Sequence, residues 1–199
     1  MDNREFSPME LDVIKELANI GGGNAATAIS QLVGKFINMS VPTIEILDYN
    51  EVYGKIMSED QPVVAVSMRM MGTGSGNFLF VCTEENAEKF VKMMLPPDFP
   101  LDEEMEYSAL SELVNIVVTS YLNALSRMLD ISLISSVPAI TVDMFGAILS
   151  YAYMESEQYD DQVMIIKNEF LYDGAKVDSS LYFIPRPGVL ASLFKIIGV

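Results

Sequence analysis

Asp12, Glu16 and Asn19 are followed at Pro42 by a proline, and Ser108, Glu112, Asn115 and Pro138 repeat those steps at a constant offset of 96 residues. The text around them also rhymes: ELANI (16–20) against ELVNI (112–116), and SVP (40–42) against SVP (136–138). This is an internal repeat. An asparagine carboxamide both donates and accepts hydrogen bonds, so it can hold a water in line with a phosphoryl group. Positioning alone can be worth several kcal/mol without a covalent step. A glutamate one turn away can pair with a lysine of a partner and fix the register. As a general base an exposed carboxylate is weak.

The elements that position these residues are helices. At 100° per residue Asp12, Glu16 and Asn19 fall at about 0°, 40° and −20°. Ile14, Leu17, Ala18, Ala25, Ala28, Ile29 and Leu32 cluster between roughly 140° and 260°. The second copy sets Ser108, Glu112 and Asn115 against Leu110, Leu113, Val114, Val117, Tyr121, Ala124 and Met128. Each trio is therefore expected on an outward face. Any solvated helix shows polar residues there, but solvated faces drift in composition, and two widely diverged halves keep these types.

The first helix has a strong start: Ser7 as cap, Pro8 at the first helical position and Glu10 completing a capping box. Its stripe runs to about Val33, with Gly34 as a stop. Gly21-Gly22-Gly23 inside it predicts a kink or a close approach. A phosphate-cradling loop is the competing idea, but no strand precedes the glycines and no G-K-[ST] follows. The second helix runs from near Asp102 to about Leu129, with Val117-Val118-Thr119 where the glycines stood, so the two sites are not expected to be equivalent.

Strands are predicted over 43–48, 62–71, 77–82, 137–144, 162–172 and 178–184, with turns at 72–76 and at Asp173-Gly174. Helices are predicted over 84–94, capped by Thr83, and over 187–197. Residues 145–157 fit either period. The proline-rich stretch 95–104 is the joint. The expected fold is α+β: one domain over 1–199, with repeats about 7–95 and 102–199. Each repeat reads helix, three strands, helix. Neither half can cover both faces of a sheet alone, which predicts a pseudo-twofold domain sharing one sheet.

Composition narrows the chemistry. Half of the 199 residues are hydrophobic, as in a folded globular protein, and the net charge is −16. Such a surface argues against nucleic acid and anionic membranes as partners. There is no histidine, which removes Ser-His and Cys-His nucleophiles and the usual zinc sites. The single cysteine, Cys82, lies in an apolar run and reads as a structural thiol. The fourteen methionines lack a ligand spacing and read as core filling. No secretory signal or membrane span is visible, so the expected location is the cytoplasm. The chain has no complete active site of its own; the Glu/Asn pairs would have to finish one supplied by a partner.

The pattern D/S-x3-E-x2-N-x22-P, met twice, resembles the motif of the CheC/CheX/FliY family of chemotaxis phosphatases. NIGGGNAATAIS (19–30) and FIPRPG (183–188) are also similar to that family's text. Two motifs in a chain of this length resemble the CheC branch. The resemblance implies a phosphatase for the phosphorylated response regulator CheY, whose aspartyl phosphate and bound Mg²⁺ are the missing half of the site. No cofactor of the chain's own is implied. By the same resemblance Glu16 and Glu112 would contact CheY, and Asn19 and Asn115 would orient the hydrolytic water. Asp12 and Ser108, at the motif's variable first position, would support the helix end. Pro42 and Pro138 would shape the entry to the first strand of each half. The deamidase CheD is implied as a second partner. The alternative is a non-catalytic adaptor using the same helix faces to bind CheY or CheD.

Overall fold

Ser7 and Glu10 begin the first helix by satisfying each other's backbone: the Glu10 N–H donates to the Ser7 hydroxyl at 3.2 Å, and the Ser7 N–H to the Glu10 carboxylate at 2.8 Å. In the computed structural model, which describes residues 6–96, 100, 102–155, 162–172 and 175–198, this helix is α1 (Pro8–Val33). It is followed by β1 (Asn38–Met39), β2 (Thr43–Asp48), α2 (Tyr49–Lys55), β3 (Pro62–Gly72), β4 (Gly76–Cys82) and α3 (Glu84–Met94). The second half runs α4 (Glu103–Leu129), β5 (Leu133–Ser135), β6 (Ala139–Met144), α5 (Phe145–Glu155), β7 (Gln162–Tyr172), β8 (Ala175–Pro185) and α6 (Val189–Ile197). The asparagine N–H of the third helix donates to the Thr83 cap, and Asp102 caps α4 by accepting from Met105.

Each half departs from the expected helix, three strands, helix. Four strands and a further helix stand in each. β1 and β5 are two and three residues long, too short for an alternating pattern to register. The seven-residue α2 carries a glycine and two tyrosines, poor helix formers. It is held by packing instead: Val52 is fully buried, and Tyr49 and Tyr53 meet Tyr153 and Phe145 edge-on. Residues 145–155 resolve as helix α5, buried along Phe145, Ile148, Leu149 and Ala152. The strand predicted over 137–144 begins at Ala139, beyond Pro138, which has no N–H to give a ladder. The final helix begins at Val189 rather than 187. The predicted turn at Asp173-Gly174 and parts of the 95–104 joint lie outside the described residues.

All strand pairings are antiparallel and form one eight-stranded sheet, ordered β1-β7-β8-β4-β3-β5, with β2 also along β7 and β6 also along β3. β2 pairs from Thr43↔Lys167 to Asp48↔Gln162, and β6 from Pro62↔Met144 to Ser67↔Ala139. The early strands of each half thus lie on the hairpin of the other half, and β4–β8 joins the two hairpins.

Because strand side chains alternate, the sheet feeds two cores. Val64, Val66, Met68, Phe78, Phe80, Leu181 and Phe183 face α1, α3, α4 and α6, whose Ile14, Phe90, Leu113 and Phe194 close that layer. Val63, Ala65, Leu79, Val81, Ile165 and Tyr182 face α2 and α5. β4 is covered on both faces and buried at every position. Each large side chain fully buried there contributes about 1.5–3 kcal/mol. Met68, Met70, Met93 and Met164 fill the core, whereas Met9, Met71, Met105, Met128, Met144 and Met154 are exposed, so core filling describes only part of the methionines. Among the described residues, no helix is long and apolar enough to cross a membrane.

Candidate functional site

α1 and α4 lie on the same face of the sheet and pack against each other through Gly21 and Tyr121. Asp12, Glu16 and Asn19 are exposed along α1, opposite the buried Ile14, Ala18, Gly21 and Ala25. On α4, Ser108 and Glu112 are exposed and Asn115 is half-buried, opposite Leu113, Val114, Val117 and Tyr121. Two residues assigned to the apolar stripes do not belong there. Leu32 is 54% and Met128 40% exposed. Both stand in the last turns of their helices, where Val33 and Leu129 pack inward instead.

The glycine run works as a close approach, and the helix continues through it. A Cβ on Gly21 would lie 2.7 Å from Tyr121 Cδ1 and 2.9 Å from Tyr121 Cα, so the backbones of α1 and α4 can meet there only because Gly21 has no side chain. Gly22 faces the Met39 side chain and lies against the buried Pro42, whose Cγ would be 3.6 Å from an added Cβ. The last member of the first motif therefore packs on α1 three residues beyond Asn19. Gly23 faces open space. Pro138, its counterpart, is half-buried before β6.

The two Glu/Asn pairs have different surroundings. Asp12 makes an exposed ion pair with Lys15 at 3.8 Å, worth about 0–1 kcal/mol. Glu16 and Asn19 make no side-chain hydrogen bond or ion pair among the described residues. Asn115 makes two: its Nδ2 donates to Glu112 Oε2 and its Oδ1 accepts from Thr119 Oγ1, both at 3.5 Å. Thr119 was visible only as part of the segment replacing the glycines. Its i+4 spacing from Asn115 is the signal that marks it.

Four clefts among the described residues are lined by none of the motif residues. An open cleft of about 800 Å³ lies on the α5 side of the sheet, between Ser67, Arg69, Asn77, Tyr151 and Glu155, and holds none of the motif residues. Burial pushes the Cys82 thiol up to about 12, so at neutral pH it is protonated and unreactive. Burial likewise raises the Tyr121 phenol, which stays neutral. Among the described residues, no group of three or more Cys, Asp or Glu could hold a metal ion. What the surface offers is two carboxylate–carboxamide pairs on neighbouring helices, the first exposed and the second with its asparagine half-buried.

The model of the CheC-like family matches residues 9–46 and 105–142, which span both motifs. The chain is 31% identical over 197 residues to "CheY-P phosphatase CheC" of Bacillus subtilis (strain 168), covering 95% of this chain and 94% of that protein. It is 27% identical over 136 residues to the "Flagellar motor switch phosphatase FliY" of the same organism, covering 64% of this chain and 35% of that one. In three dimensions it is similar to FliY of Thermotoga maritima, with a TM-score of 0.75, 22% identity and 98% of each chain covered. The FliM middle domain of H. pylori shares the fold at a TM-score of 0.63 and 11% identity, covering 96% of this chain and 99% of that one.

Proposed function

The chain belongs to the CheC-like family, and from that premise we propose that it dephosphorylates the aspartyl phosphate of the response regulator CheY. The observation that carries the reading is that α1 and α4 each carry a glutamate and an asparagine one turn apart on the face opposite the core, with Glu16, Asn19 and Glu112 exposed and Asn115 half-buried.

Glu16 and Glu112 would contact CheY and set the register of docking. Asn19 and Asn115 would enter the CheY site and hold a water in line with the phosphorus. The water oxygen then bonds to phosphorus as the bond to the aspartyl oxygen breaks, leaving a carboxylate and inorganic phosphate. Charge on the phosphoryl oxygens would be met by Mg²⁺ belonging to CheY, so this chain would need no cofactor of its own. Its part is orientation, a contribution of several kcal/mol when reacting groups are held at attack distance. Asp12, Ser108, Pro42 and Pro138 would support the helices and the strands that follow them.

We read the chain as one domain whose halves, about 7–95 and 102–199, are copies related by a pseudo-twofold axis. The 96-residue motif offset and the reciprocal pairing of β2 with β7 and β6 with β3 support that reading. Family membership also leads us to propose CheD as a second partner.

The test is the decay of phosphorylated CheY with catalytic amounts of this protein. Wild type is expected to shorten the lifetime, Asn19→Ala and Asn115→Ala each to retain part of the activity, and the double variant to lose it while still binding CheY. If saturating wild-type protein leaves the decay unchanged with and without CheD, the phosphatase reading fails, and an adaptor for CheY or CheD takes its place.

A further inference from the structure

We propose that Thr119 is a positioning residue for Asn115, and that it makes the second Glu/Asn pair a pre-set site while the first remains free to turn. The proposal rests on the reading of Asn19 and Asn115 as the water-orienting groups.

Four hydroxyls on the described helices donate back to the carbonyl four residues earlier. Thr27 does so to Gly23 at 2.9 Å, Ser30 to Ala26 at 2.7 Å, Ser120 to Ile116 at 2.7 Å and Ser192 to Gly188 at 3.0 Å. Thr119 differs: its Oγ1 donates to the side-chain Oδ1 of Asn115. The contact is long, at 3.5 Å, but helix geometry favours it. A side chain four residues on leans back over the preceding turn and onto the residue there.

With Oδ1 accepting from Thr119 and Nδ2 donating to Glu112, both at 3.5 Å, the two ends of the carboxamide are assigned. Each end keeps one further hydrogen-bonding position, an N–H and a lone pair, for a water. At the first site the position equivalent to Thr119 is Gly23, which has no hydroxyl to offer. Asn19 is exposed and makes no side-chain hydrogen bond among the described residues. It can offer either end of its carboxamide, in any helical rotamer. A helical asparagine has about two χ1 wells and two carboxamide orientations, so fixing one state raises the competent fraction roughly fourfold.

Gly23 allows the test to run in both directions, because a Cβ there meets nothing within 4 Å. In an Asn19→Ala background, where only the second site works, Thr119→Val should lower kcat for CheY-P hydrolysis roughly fourfold with KM unchanged. Thr119→Ser, which keeps the hydroxyl, should restore it. In an Asn115→Ala background, Gly23→Thr should raise kcat of the first site by a similar factor, and Gly23→Val should not. Thr119→Val indistinguishable from Thr119→Ser, or Gly23→Thr indistinguishable from Gly23→Val, overturns the proposal. The Gly23 arm decides the matter even if Thr119→Val folds poorly. Full activity in the Asn19→Ala/Asn115→Ala double variant would instead overturn the Glu/Asn reading on which the proposal rests, and is seen before any Thr119 variant is made.

Discussion

Gly21 and Gly23 stand two positions apart in α1 and respond to a methyl group in opposite ways. Alanine gains about 1 kcal/mol over glycine in a helix interior. At Gly21 the added Cβ would meet the Tyr121 backbone at 2.9 Å, and forced overpacking of that kind costs about 1–3 kcal/mol. Gly21→Ala is therefore expected to lower stability by about 1 kcal/mol, whereas Gly23→Ala, facing open space, raises it by about 0.5–1 kcal/mol. Urea midpoints at constant slope measure both; a Gly21→Ala variant as stable as wild type would mean that α4 can back away from α1. At this scale the outward placement of Glu16, Asn19 and Glu112 was legible, because periodicity fixes which face a residue takes. The half-burial of Asn115 and its contact with Thr119 were not. They depend on which rotamers two neighbours share, and periodicity carries no rotamer information. Leu32 and Met128 misled for a related reason: the edge of a buried stripe is decided by what packs beside it.

The two long helices end differently. α1 stops at Gly34, whose φ of 65° is free of strain, and α4 stops at Asp130 with φ 52°. Among the described residues Asp130 is the one non-glycine with positive φ. Its Cβ is disfavoured there, and its carboxylate stands at the negative end of the helix dipole. Asp130→Gly is expected to stabilise the protein by roughly 0.5–1 kcal/mol, read as a higher urea midpoint or Tm; a lower midpoint would show that the carboxylate makes a compensating contact. Helices with chemical end signals were readable from sequence. Ser7-Pro8-Glu10, Thr83 and Asp102 mark the starts of α1, α3 and α4. α2 carries such a signal too, Asp48 with Glu51 reaching back to its N–H at 3.4 Å. A seven-residue helix with a glycine and two tyrosines nonetheless has too weak a propensity to be read from it, and is held by Val52 and a tyrosine cluster. α5 is apolar on both sides of its first turns, so the period that separates helix from strand was missing there.

For the whole molecule, the governing feature is that β2 and β6 each pair with the other half's hairpin. A single shared sheet was legible, although the reason for expecting it was incomplete: α2 and α5 give each half a helix on the second face. The partner of each strand was not, since an alternating pattern says which side is buried and leaves the neighbour unspecified. Residues 1–96 and 97–199, made as separate chains, are expected to show no cooperative urea transition alone and to regain one when mixed. A cooperative transition in either fragment by itself would contradict this. The same pairing bears on how the chain is made. When the first half has left the ribosome, β3 and β4 have neither β6 nor β8 beside them. At about 5–20 residues per second, the roughly 100 residues of the second half take about 5–20 s to follow. For those seconds the nascent chain carries a hydrophobic hairpin with both edges open, the form of sheet most prone to pair with a stranger. The demand for chaperones should therefore fall on the half-synthesised chain and end when β8 arrives.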